Sequence, residues 1–361
     1  MKCFLHIGTE KTGSTLIQDW LHINRNALLN NRIFLPTKMG GNNHYLLPAF
    51  FQSNSDNWNK NIIRAFARKN AVGELDDRLW KDKFITLASK EIELNQQHCD
   101  VAIITSEHFH RRIKSAFDIN AVKYLLQNIF DEVYVVCYFR EQFELALSLY
   151  STALRGGSKA TIQEFTRNVV PTNDYYNYFE IANNYATAFG KENCIFRIYD
   201  RENFIGNDIR KDFMKAINQT ISFDEFEWSK NSSNESLFAL QAVAFRVINE
   251  KLEFFNNDQT IKNEENIAAR NQVLENDIFK QGKIGCGGSQ SIRELFKDSN
   301  QKFFEEFFPN QAHFNVKETK RPELVLISSC ENTVEKALEL SEDLRSIKNF
   351  HAVGDGVDGL G

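Results

Sequence analysis

Short apolar runs alternate with helix-like patterns over the first two hundred residues of the chain. Four of these runs have the length and the polar borders of buried strands: Lys2–Ile7, Val101–Thr105, Val133–Phe139 and Cys194–Tyr199. Three stretches have apolar residues at near-helical spacing: Ser14–Leu29, Glu141–Leu154 and Tyr176–Ala188. Strands that alternate with helices in this way predict an α/β fold, with a central parallel sheet flanked by helices.

The remainder of the chain is less regular. Residues 36–61 are predicted to be rich in loops, and beyond the last predicted strand the pattern is mostly helical, apart from a glycine-rich loop at Gly282–Gly288. We therefore predict one domain over residues 1–314 with a mostly helical C-terminal part. Residues 315–353 are a C-terminal extension whose packing the sequence leaves open, and the Gly- and Asp-rich residues 354–361 are expected to form a disordered tail.

The first predicted strand leads into a turn with a glycine at each end, Gly8–Gly13, and then into a helix. Glycines let the backbone approach a ligand closely, and the unpaired N–H groups at a helix start point at an anion. Four side chains in and after the turn add further donors: Lys11, Thr12, Ser14 and Thr15. This strand–turn–helix predicts a phosphate-binding site, with a purely structural turn as the alternative.

The spacing within the turn distinguishes two kinds of phosphate site. A Walker A loop has four residues between its glycines, followed at once by Lys and then Ser or Thr. Four residues separate Gly8 from Gly13, but Lys11 precedes the second glycine by two positions and Ser14 follows it. The lysine would therefore address a different part of the ligand, and the turn is a poor ATPase signature.

A second candidate anchor follows the predicted strand Val133–Phe139. Arg140 comes directly after this strand, and Ser148 lies eight residues further on, slightly more than two helical turns away. A guanidinium and a hydroxyl at this spacing suit one terminal phosphate. An Arg after a strand is by itself usually a surface residue, so its pairing with the first turn carries this assignment.

The run Lys11-Thr12-Gly13-Ser14-Thr15 resembles the 5′-phosphosulfate loop of the sulfotransferase family, which has the form Lys-Thr/Ser-Gly-Thr/Ser-Thr after the first strand. The resemblance implies a cosubstrate, 3′-phosphoadenosine 5′-phosphosulfate (PAPS), and a product, 3′-phosphoadenosine 5′-phosphate (PAP). It implies that Lys11 neutralises charge on the leaving phosphate while the next four residues hold the 5′-phosphate. It also implies that Arg140 and Ser148 hold the 3′-phosphate, and that the chemistry requires no metal ion.

The resemblance extends in weaker form over about residues 2–310. Tyr178–Asp200, which includes Phe189–Asn193, is similar to bacterial members of the family, and Phe296–Asn300 is similar to a late segment of the family. Cytosolic small-molecule sulfotransferases hold the 3′-phosphate with an Arg-Lys-Gly loop, for which Lys280–Gly288 is only a loose substitute. This departure favours the bacterial and carbohydrate-modifying branches. We expect the acceptor to be a small molecule or an oligosaccharide, and by this analogy a carbohydrate.

An acceptor hydroxyl or amine also needs a general base. Glu107 is the first candidate, because it follows the strand Val101–Thr105 at the edge where ligands collect in open α/β sheets, and because the resemblance implies an acidic residue there. His44, in a loop that begins with two glycines, is the second candidate. The alternatives are an ion pair of Glu107 with Arg111 or Arg112, and an ordinary loop histidine.

Three other histidines are open to more than one interpretation. His108 and His110 form an HxH pair that could hold a metal or supply the base, but the sequence offers no evident third ligand, and we expect no metal site. His6, within the first strand, is expected to be a hydrogen-bonded residue of the core.

Composition narrows the class of protein. The net charge of −5 argues against a general nucleic-acid binder, although residues 1–70 hold nine Lys and Arg against three Asp and Glu. The 31 phenylalanines, several of them at helical spacing near residue 305, indicate a packed aromatic core. The six cysteines lack CxxC pairing, and the chain shows neither a signal peptide nor a membrane span. We expect a soluble, cytoplasmic protein with free thiols.

These observations predict a PAPS-dependent sulfotransferase that acts by in-line displacement. Two alternatives stay open: a P-loop nucleotide kinase or phosphotransferase, and a catalytically inactive PAP-binding module. The sequence does not identify the acceptor, separate O- from N-sulfation, or determine the oligomeric state.

Overall fold

Five strands pair into one sheet in which all neighbouring strands are parallel. The computed structural model describes residues 1–52, 56–70, 77–219, 221–228, 236–255, 262–285, 289–316 and 323–325. The strands lie in the order β2-β3-β1-β4-β5, and their bounds are β1 Lys2–His6, β2 Ile33–Phe34, β3 Val101–Thr105, β4 Glu132–Phe139 and β5 Cys194–Ile198. The predicted α/β fold with a central parallel sheet flanked by helices is thereby confirmed.

The burial of β1, β3 and β4 explains their apolar sequences. All five residues of β3 are buried, as are the last four of β1 and the last five of β4. Strands of a parallel sheet are covered on both faces, so they carry continuous apolar runs instead of an alternating pattern. β1 is the central strand, with His6 opposite Thr105 of β3 and Val136 of β4.

Helices surround this sheet and form most of the C-terminal part, as predicted. Their bounds are α1 Ser14–Ile23, α2 Arg25–Asn30, α3 Leu46–Phe51, α4 Asn57–Lys69, α5 Asp77–Asn95, α6 His108–Arg112, α7 Ala116–Gln127, α8 Gln142–Arg155, α9 Ile162–Thr166, α10 Tyr178–Phe189, α11 Ile209–Ala216, α12 Ala239–Lys251, α13 Glu264–Glu275, α14 Ser289–Leu295 and α15 Lys297–Phe307. Single 3₁₀ turns occur at Lys191–Asn193, Ile205–Asn207 and Asp277–Phe279. Two short strands, β6 Lys283–Gly285 and β7 Glu323–Val325, form a separate parallel pair.

Two local predictions differ from the structure. The helix expected over residues 14–29 is broken at Asn24, whose side chain accepts the Glu227 N–H at 2.6 Å and donates to the Trp20 carbonyl at 2.9 Å. Side chains that bond the backbone in this way compete with helix continuation. The stretch 36–61, expected to be rich in loops, contains α3 and the start of α4, which Asp56 caps by accepting the Asn59 N–H at 2.9 Å.

The chain divides into two compact units that interleave along the sequence. The first consists of Met1–Glu141, Pro171–Ser232 and Lys297–Asn315, and it contains the five-stranded sheet. The second consists of Gln142–Val170, Ser233–Phe296 and Val316–Gly361. The single domain predicted over residues 1–314 therefore covers segments of both units. The predicted tail and most of the predicted extension lie outside the described residues.

Aromatic side chains fill the core of the first unit. Phe303 and Phe304 of α15 are 0% and 2% exposed, which confirms the aromatic core expected for this part of the chain. The ring of Phe303 lies 4.9 Å from that of Phe139, so α15 packs directly on β4. In the second unit, α8 and α12 share a core that includes Tyr150 and Phe245. Cys3, Cys99, Cys137 and Cys194 are free thiols, as predicted, while the other two cysteines lie outside the described residues.

A buried carboxylate joins α11 to the sheet. Asp212 is 0% exposed and accepts hydrogen bonds from Arg197 of β5 at 2.7 and 2.8 Å and from the Tyr138 hydroxyl of β4 at 2.8 Å. It also accepts the Ile205 N–H at 3.3 Å. A buried charge is tolerated only when its partners compensate for lost hydration, and these four donors do so.

Removal of this carboxylate is expected to destabilise the first unit. Asp212→Ala leaves the Tyr138 hydroxyl and the Arg197 guanidinium without their acceptor, so the free energy of unfolding should fall by roughly 3–5 kcal/mol. Urea denaturation measures this change. The control, Asp19→Ala at an exposed position of α1, should change stability by no more than about 0.5 kcal/mol; equal losses for the two variants would contradict the assigned role.

Candidate functional site

The turn after β1 has the backbone geometry of an anion cradle. Gly8 and Gly13 have φ values of 52° and 79°, in the left-handed region that favours glycine. Gly13 is the N-terminal cap of α1, where a Cβ would lie only 3.0 Å from the Ile209 side chain. α1, described in full, has no side-chain cap and no acidic residue in its first turn. Its first N–H groups are therefore available to an anionic ligand.

Two threonines of the turn hold its shape. The Thr9 hydroxyl donates to the Tyr138 carbonyl at 2.9 Å, and the Thr12 hydroxyl donates to the Thr9 carbonyl at 2.6 Å. Both side chains are fully buried. Ser14 is 5% exposed, whereas Thr15 is exposed. The predicted ligand role of residues 12–15 therefore depends for Thr12 on its backbone N–H, because its hydroxyl is committed to the turn itself.

Lys11 lies in this turn among other charged groups. It is half-buried, and burial is the main reason why the pKa of its ammonium group lies below the ordinary value. Interactions with Glu10 and Glu107 oppose this decrease in pKa, and the interaction with Arg140 adds to it. Lys11 also has a φ of 64°, a conformation that costs about 1–2 kcal/mol for a residue other than glycine.

Arg140, directly after β4, contacts the turn. Its Nη1 donates to the Lys11 carbonyl at 3.3 Å, and its guanidinium lies 5.7 Å from the centre of the Tyr199 ring. The Arg140 carbonyl accepts the Tyr178 hydroxyl at 2.5 Å, which fixes the backbone at the end of the strand. The structure thus brings together Lys11 and Arg140, two of the residues that the sequence predicted for one anionic ligand.

Glu107 lies on the other side of the same turn. It follows β3, and a Cβ at Gly8 would be 3.5 Å from its Cα. Gln18 of α1, only 4% exposed, donates its amide to Glu107 Oε2 at 2.6 Å. The alternative partner Arg112 instead pairs with Asp56, at 2.7 Å. Glu107 is therefore a half-buried carboxylate that is oriented by a neutral donor beside the cradle.

The structure gives His44 a structural role. Its side chain is fully buried; Nδ1 accepts the Thr105 N–H at 3.1 Å, and Nε2 donates to the Pro36 carbonyl at 2.9 Å. Burial lowers the pKa of His44 to about 4, in agreement with this neutral ring. Both ring nitrogens are engaged, Nδ1 with Thr105 of β3 and Nε2 with Pro36, which argues against His44 as the base.

The HxH pair is divided between two environments. His108 is half-buried, with its ring 4.8 Å from that of Trp58. His110 is 2% exposed, and its Nε2 lies 2.9 Å from the Tyr175 carbonyl. Within the described part of the chain, no group of three or more His, Cys, Asp or Glu side chains is arranged to hold a metal ion.

Ser148 belongs to α8, in the second unit, where it is half-buried and its carbonyl accepts the Thr152 hydroxyl at 3.1 Å. Arg140 belongs to the first unit. The pairing of Arg140 with Ser148 around one phosphate stays a prediction. His6, by contrast, is confirmed as a hydrogen-bonded core residue, with Nδ1 2.8 Å from the Thr105 hydroxyl.

A polar cavity lies near the C-terminal end of α6. It has a volume of about 450 Å³. Its lining contains three cations and three carboxylates: Arg111, Arg112, Lys114, Asp56, Asp118 and Asp174. Arg111 follows Glu107 by four residues, which is about one helical turn. The cavity therefore lies on the helix that begins directly after the candidate base.

Sequence reasoning missed three residues of this site. Gln18 could have been noticed as a polar residue between apolar positions of the first helix, four residues after Ser14. Tyr199, which contacts the Arg140 guanidinium, was predicted only as the last residue of a strand. Tyr175, whose hydroxyl donates to Glu10, carries no local signal, because the contact spans 165 positions.

Comparisons with known proteins add one relative. The chain matches no protein-family model. It is similar to a protein of Archaeoglobus fulgidus described as uncharacterized, with 28% identity over 188 residues. The aligned region is 51% of this chain and 48% of that protein, so the chain spans about half the length of this relative. Among the described residues, no helix is both long and apolar enough to cross a membrane.

The buried histidines predict a pH-dependent stability. Burial lowers the pKa of His6 and of His44 to about 4, and that of His110 to about 3. Unfolded histidine titrates near pH 6.5, so between that pH and about 4 the unfolded chain binds protons that the folded chain does not. The free energy of unfolding should therefore fall as pH decreases, by roughly 1–2 kcal/mol per histidine between pH 7 and 5.

Urea denaturation at pH 7, 6 and 5 measures this dependence. His44→Gln should lower stability at pH 7 and reduce the slope with pH, since one of the histidines whose pKa is lowered by folding is gone. His98→Gln, at an exposed position, serves as the matched control and should keep the wild-type slope. A slope that is the same in His44→Gln and the wild type would show that His44 does not contribute as described.

Proposed function

We propose that this protein is a PAPS-dependent sulfotransferase that transfers the sulfuryl group to a hydroxyl or amine of an acceptor. One observation carries the proposal. An uncapped helix N-terminus, Lys11, Arg140 and Glu107 converge at the carboxyl ends of β1, β4 and β3. These strands lie in the middle of an open parallel sheet, at the point where the strand order changes direction. Ligands of α/β proteins bind at such topological switch points.

The cradle suits the 5′-phosphate side of PAPS. The first N–H groups of α1 offer hydrogen bonds and the positive end of the helix dipole. Lys11, two residues before the capping glycine, would stabilise charge that develops on the oxygen between phosphorus and sulfur. The positive charge of a partly buried lysine is strongly stabilised by such an anion, because electrostatic attraction is stronger where the local dielectric constant is low.

Arg140 suits the second anionic group of the cosubstrate. Its hydrogen bond to the Lys11 carbonyl holds the guanidinium beside the cradle, and the guanidinium also makes a cation–π contact with the Tyr199 ring. A fixed guanidinium recognises phosphate with directed hydrogen bonds. We assign the 3′-phosphate to Arg140.

Glu107 is the proposed general base. In the reaction, the acceptor oxygen or nitrogen attacks sulfur, and its proton passes to the Glu107 carboxylate. The new bond to sulfur forms as the bond from sulfur to the bridging oxygen breaks, and the electron pair of that bond stays on the 5′-phosphate of PAP. Gln18 donates to Oε2 of Glu107, which leaves Oε1 to receive the proton.

The cavity near α6 supports a polyhydroxylated acceptor. A sugar hydroxyl both donates and accepts hydrogen bonds, and a lining that combines carboxylates with cations offers both kinds of partner. Arg112 is held there by Asp56 and by the Trp58 ring, whose centre is 3.7 Å from the guanidinium. This rigid wall one to two helical turns from Glu107 supports a carbohydrate over a small apolar acceptor.

The first test is calorimetric titration with PAP, with adenosine 5′-phosphate and ATP–Mg²⁺ as comparisons. PAP should bind tightly, and binding should collapse without the 3′-phosphate. Arg140→Ala should weaken PAP binding by about 1.5–3 kcal/mol, the value of a hydrogen bond to a charged group. Arg64→Ala, an exposed arginine of α4, is the control and should leave PAP affinity unchanged.

Three other outcomes would redirect the assignment. A preference of the wild type for ATP–Mg²⁺ would favour the alternative of a P-loop phosphotransferase. Unchanged PAP affinity in Arg140→Ala would remove this residue from the 3′-phosphate site. Tight PAP binding without turnover on any saccharide would favour an inactive PAP-binding module.

Kinetic variants separate the leaving-group and base roles. Lys11→Ala should lower kcat by about two or more orders of magnitude, because charge on the leaving phosphate is no longer stabilised. Glu107→Gln should lower kcat by about 10²–10⁴-fold while PAP affinity stays within twofold, since the amide keeps the shape but cannot take a proton. Steady-state kinetics with labelled PAPS and an oligosaccharide library measure both effects; near-normal turnover in either variant would exclude that residue from its role.

A further inference from the structure

The turn that forms the anion cradle contains an acidic residue. Glu10 lies directly before Lys11, in the turn that we propose to hold the phosphates. A negative charge at this place would repel an anionic ligand, since two unit charges a few ångströms apart near a protein surface interact by several kcal/mol. The position of the Glu10 side chain therefore matters to any anion that binds the turn.

The structure holds Glu10 in a closed ring of hydrogen bonds. The Tyr175 hydroxyl donates to Glu10 Oε2. The Glu10 N–H donates to Nδ1 of His110 at 3.4 Å, and Nε2 of His110 donates to the Tyr175 carbonyl at 2.9 Å. The His110 and Tyr175 rings also pack together, with their centres 4.1 Å apart. Each of the three residues thus contacts the other two.

Burial keeps His110 and Tyr175 each in one protonation state. His110 is 2% exposed, and burial lowers its pKa to about 3, so the imidazole is neutral at physiological pH. A neutral imidazole has one donor and one acceptor nitrogen, which matches the two bonds that His110 makes. Burial likewise raises the pKa of the Tyr175 hydroxyl, which stays a donor. The Lys114 ammonium lies 5.8 Å from the centre of the Tyr175 ring, on the side of the polar cavity.

The hydrogen bonds among Glu10, Tyr175 and His110 also constrain the backbone at Lys11. A non-glycine residue keeps a left-handed φ, here 64°, only when its surroundings fix it from several sides. The ring holds Glu10, the residue before Lys11, by both its N–H and its carboxylate. Thr12, the residue after Lys11, is held by the hydrogen bond from its hydroxyl to the Thr9 carbonyl. Arg140 donates a hydrogen bond to the Lys11 carbonyl. The strained conformation is therefore determined on both sides.

We propose that Glu10, Tyr175 and His110 form a latch that draws the Glu10 carboxylate away from the bound phosphates and sets the backbone of Lys11. This inference rests on the proposed function in one respect, namely that the turn binds a phosphate-bearing ligand. Tyr175 and His110 are positioning residues, because they act through Glu10 and the turn. The latch lets a turn with an acidic residue serve as an anion site.

Four proteins test the latch by calorimetric titration with PAP. Tyr175→Phe removes only the hydroxyl and keeps the ring packing, so the Glu10 carboxylate loses its donor. PAP binding should weaken by about 5- to 10-fold, and more at low than at high salt, because screening reduces the repulsion. Glu10→Gln should bind PAP within twofold of the wild type or more tightly. The double variant that combines Tyr175→Phe with Glu10→Gln should bind PAP with an affinity within twofold of that of Glu10→Gln.

The rescue separates the latch from a purely structural role of Tyr175. If Tyr175 only supported the fold, its loss would weaken PAP binding equally with Glu or Gln at position 10. Glu10→Asp provides a second variant that keeps the charge but withdraws it by one methylene from Tyr175, and it should weaken PAP binding as Tyr175→Phe does. Wild-type affinity in Tyr175→Phe, or the absence of rescue in the double variant, would overturn the latch.

The experiment also distinguishes failure of the latch from failure of the proposed function. If the wild type does not bind PAP, the sulfotransferase proposal fails, and the same proteins are titrated with ATP and with inorganic pyrophosphate. Weakening in Tyr175→Phe and rescue by Glu10→Gln with either anion would support the latch on its own. A wild-type protein that binds none of these anions would overturn both proposals.

Discussion

β1 lies between β3 and β4 in parallel register, and this pairing brings distant parts of the chain to one edge of the sheet. His6 and Thr105, for example, are opposite each other although 99 positions separate them. Because the carboxyl ends of parallel strands lie on the same side, the residues that follow β1, β3 and β4 must meet there. The approach of Lys11, Glu107 and Arg140 is thus a consequence of sheet pairing.

Most strands of this sheet can be predicted from the sequence alone, whereas their order in the sheet cannot. Apolar runs of five to eight residues are local signals, and four of the five strands could be predicted from them. β2 has only two residues, too few for any pattern. The order of the strands depends on contacts between distant segments, which no local pattern records. Glu107 was predictable because the end of a strand is a local feature, whereas its partner Gln18 lies 89 positions away.

The loop histidine shows why a site residue can be misassigned from sequence. The loop that contains His44 begins with two glycines and suggested a candidate base, but the imidazole instead connects that loop to β3 through the backbone of Thr105. Thr12 gives a similar lesson, because a hydroxyl beside a phosphate turn suggests a ligand and here secures the turn. In each case the short-range pattern is correct about the location of the residue. The long-range partner determines its role, and burial follows from the tertiary fold.

The proposed function would place a phosphate cradle beside a general base, and this arrangement contains an electrostatic conflict, because a carboxylate that can take a proton also repels a sulfated and phosphorylated cosubstrate. Gln18 orients the proposed base, because its neutral amide donates to Glu107 without adding a second charge beside the cradle. Gln18 also lies four residues after Ser14, one turn along α1, whose N-terminus forms the cradle. In the proposed reaction, one helix would thus set both the place where the phosphate binds and the orientation of the carboxylate that takes the proton.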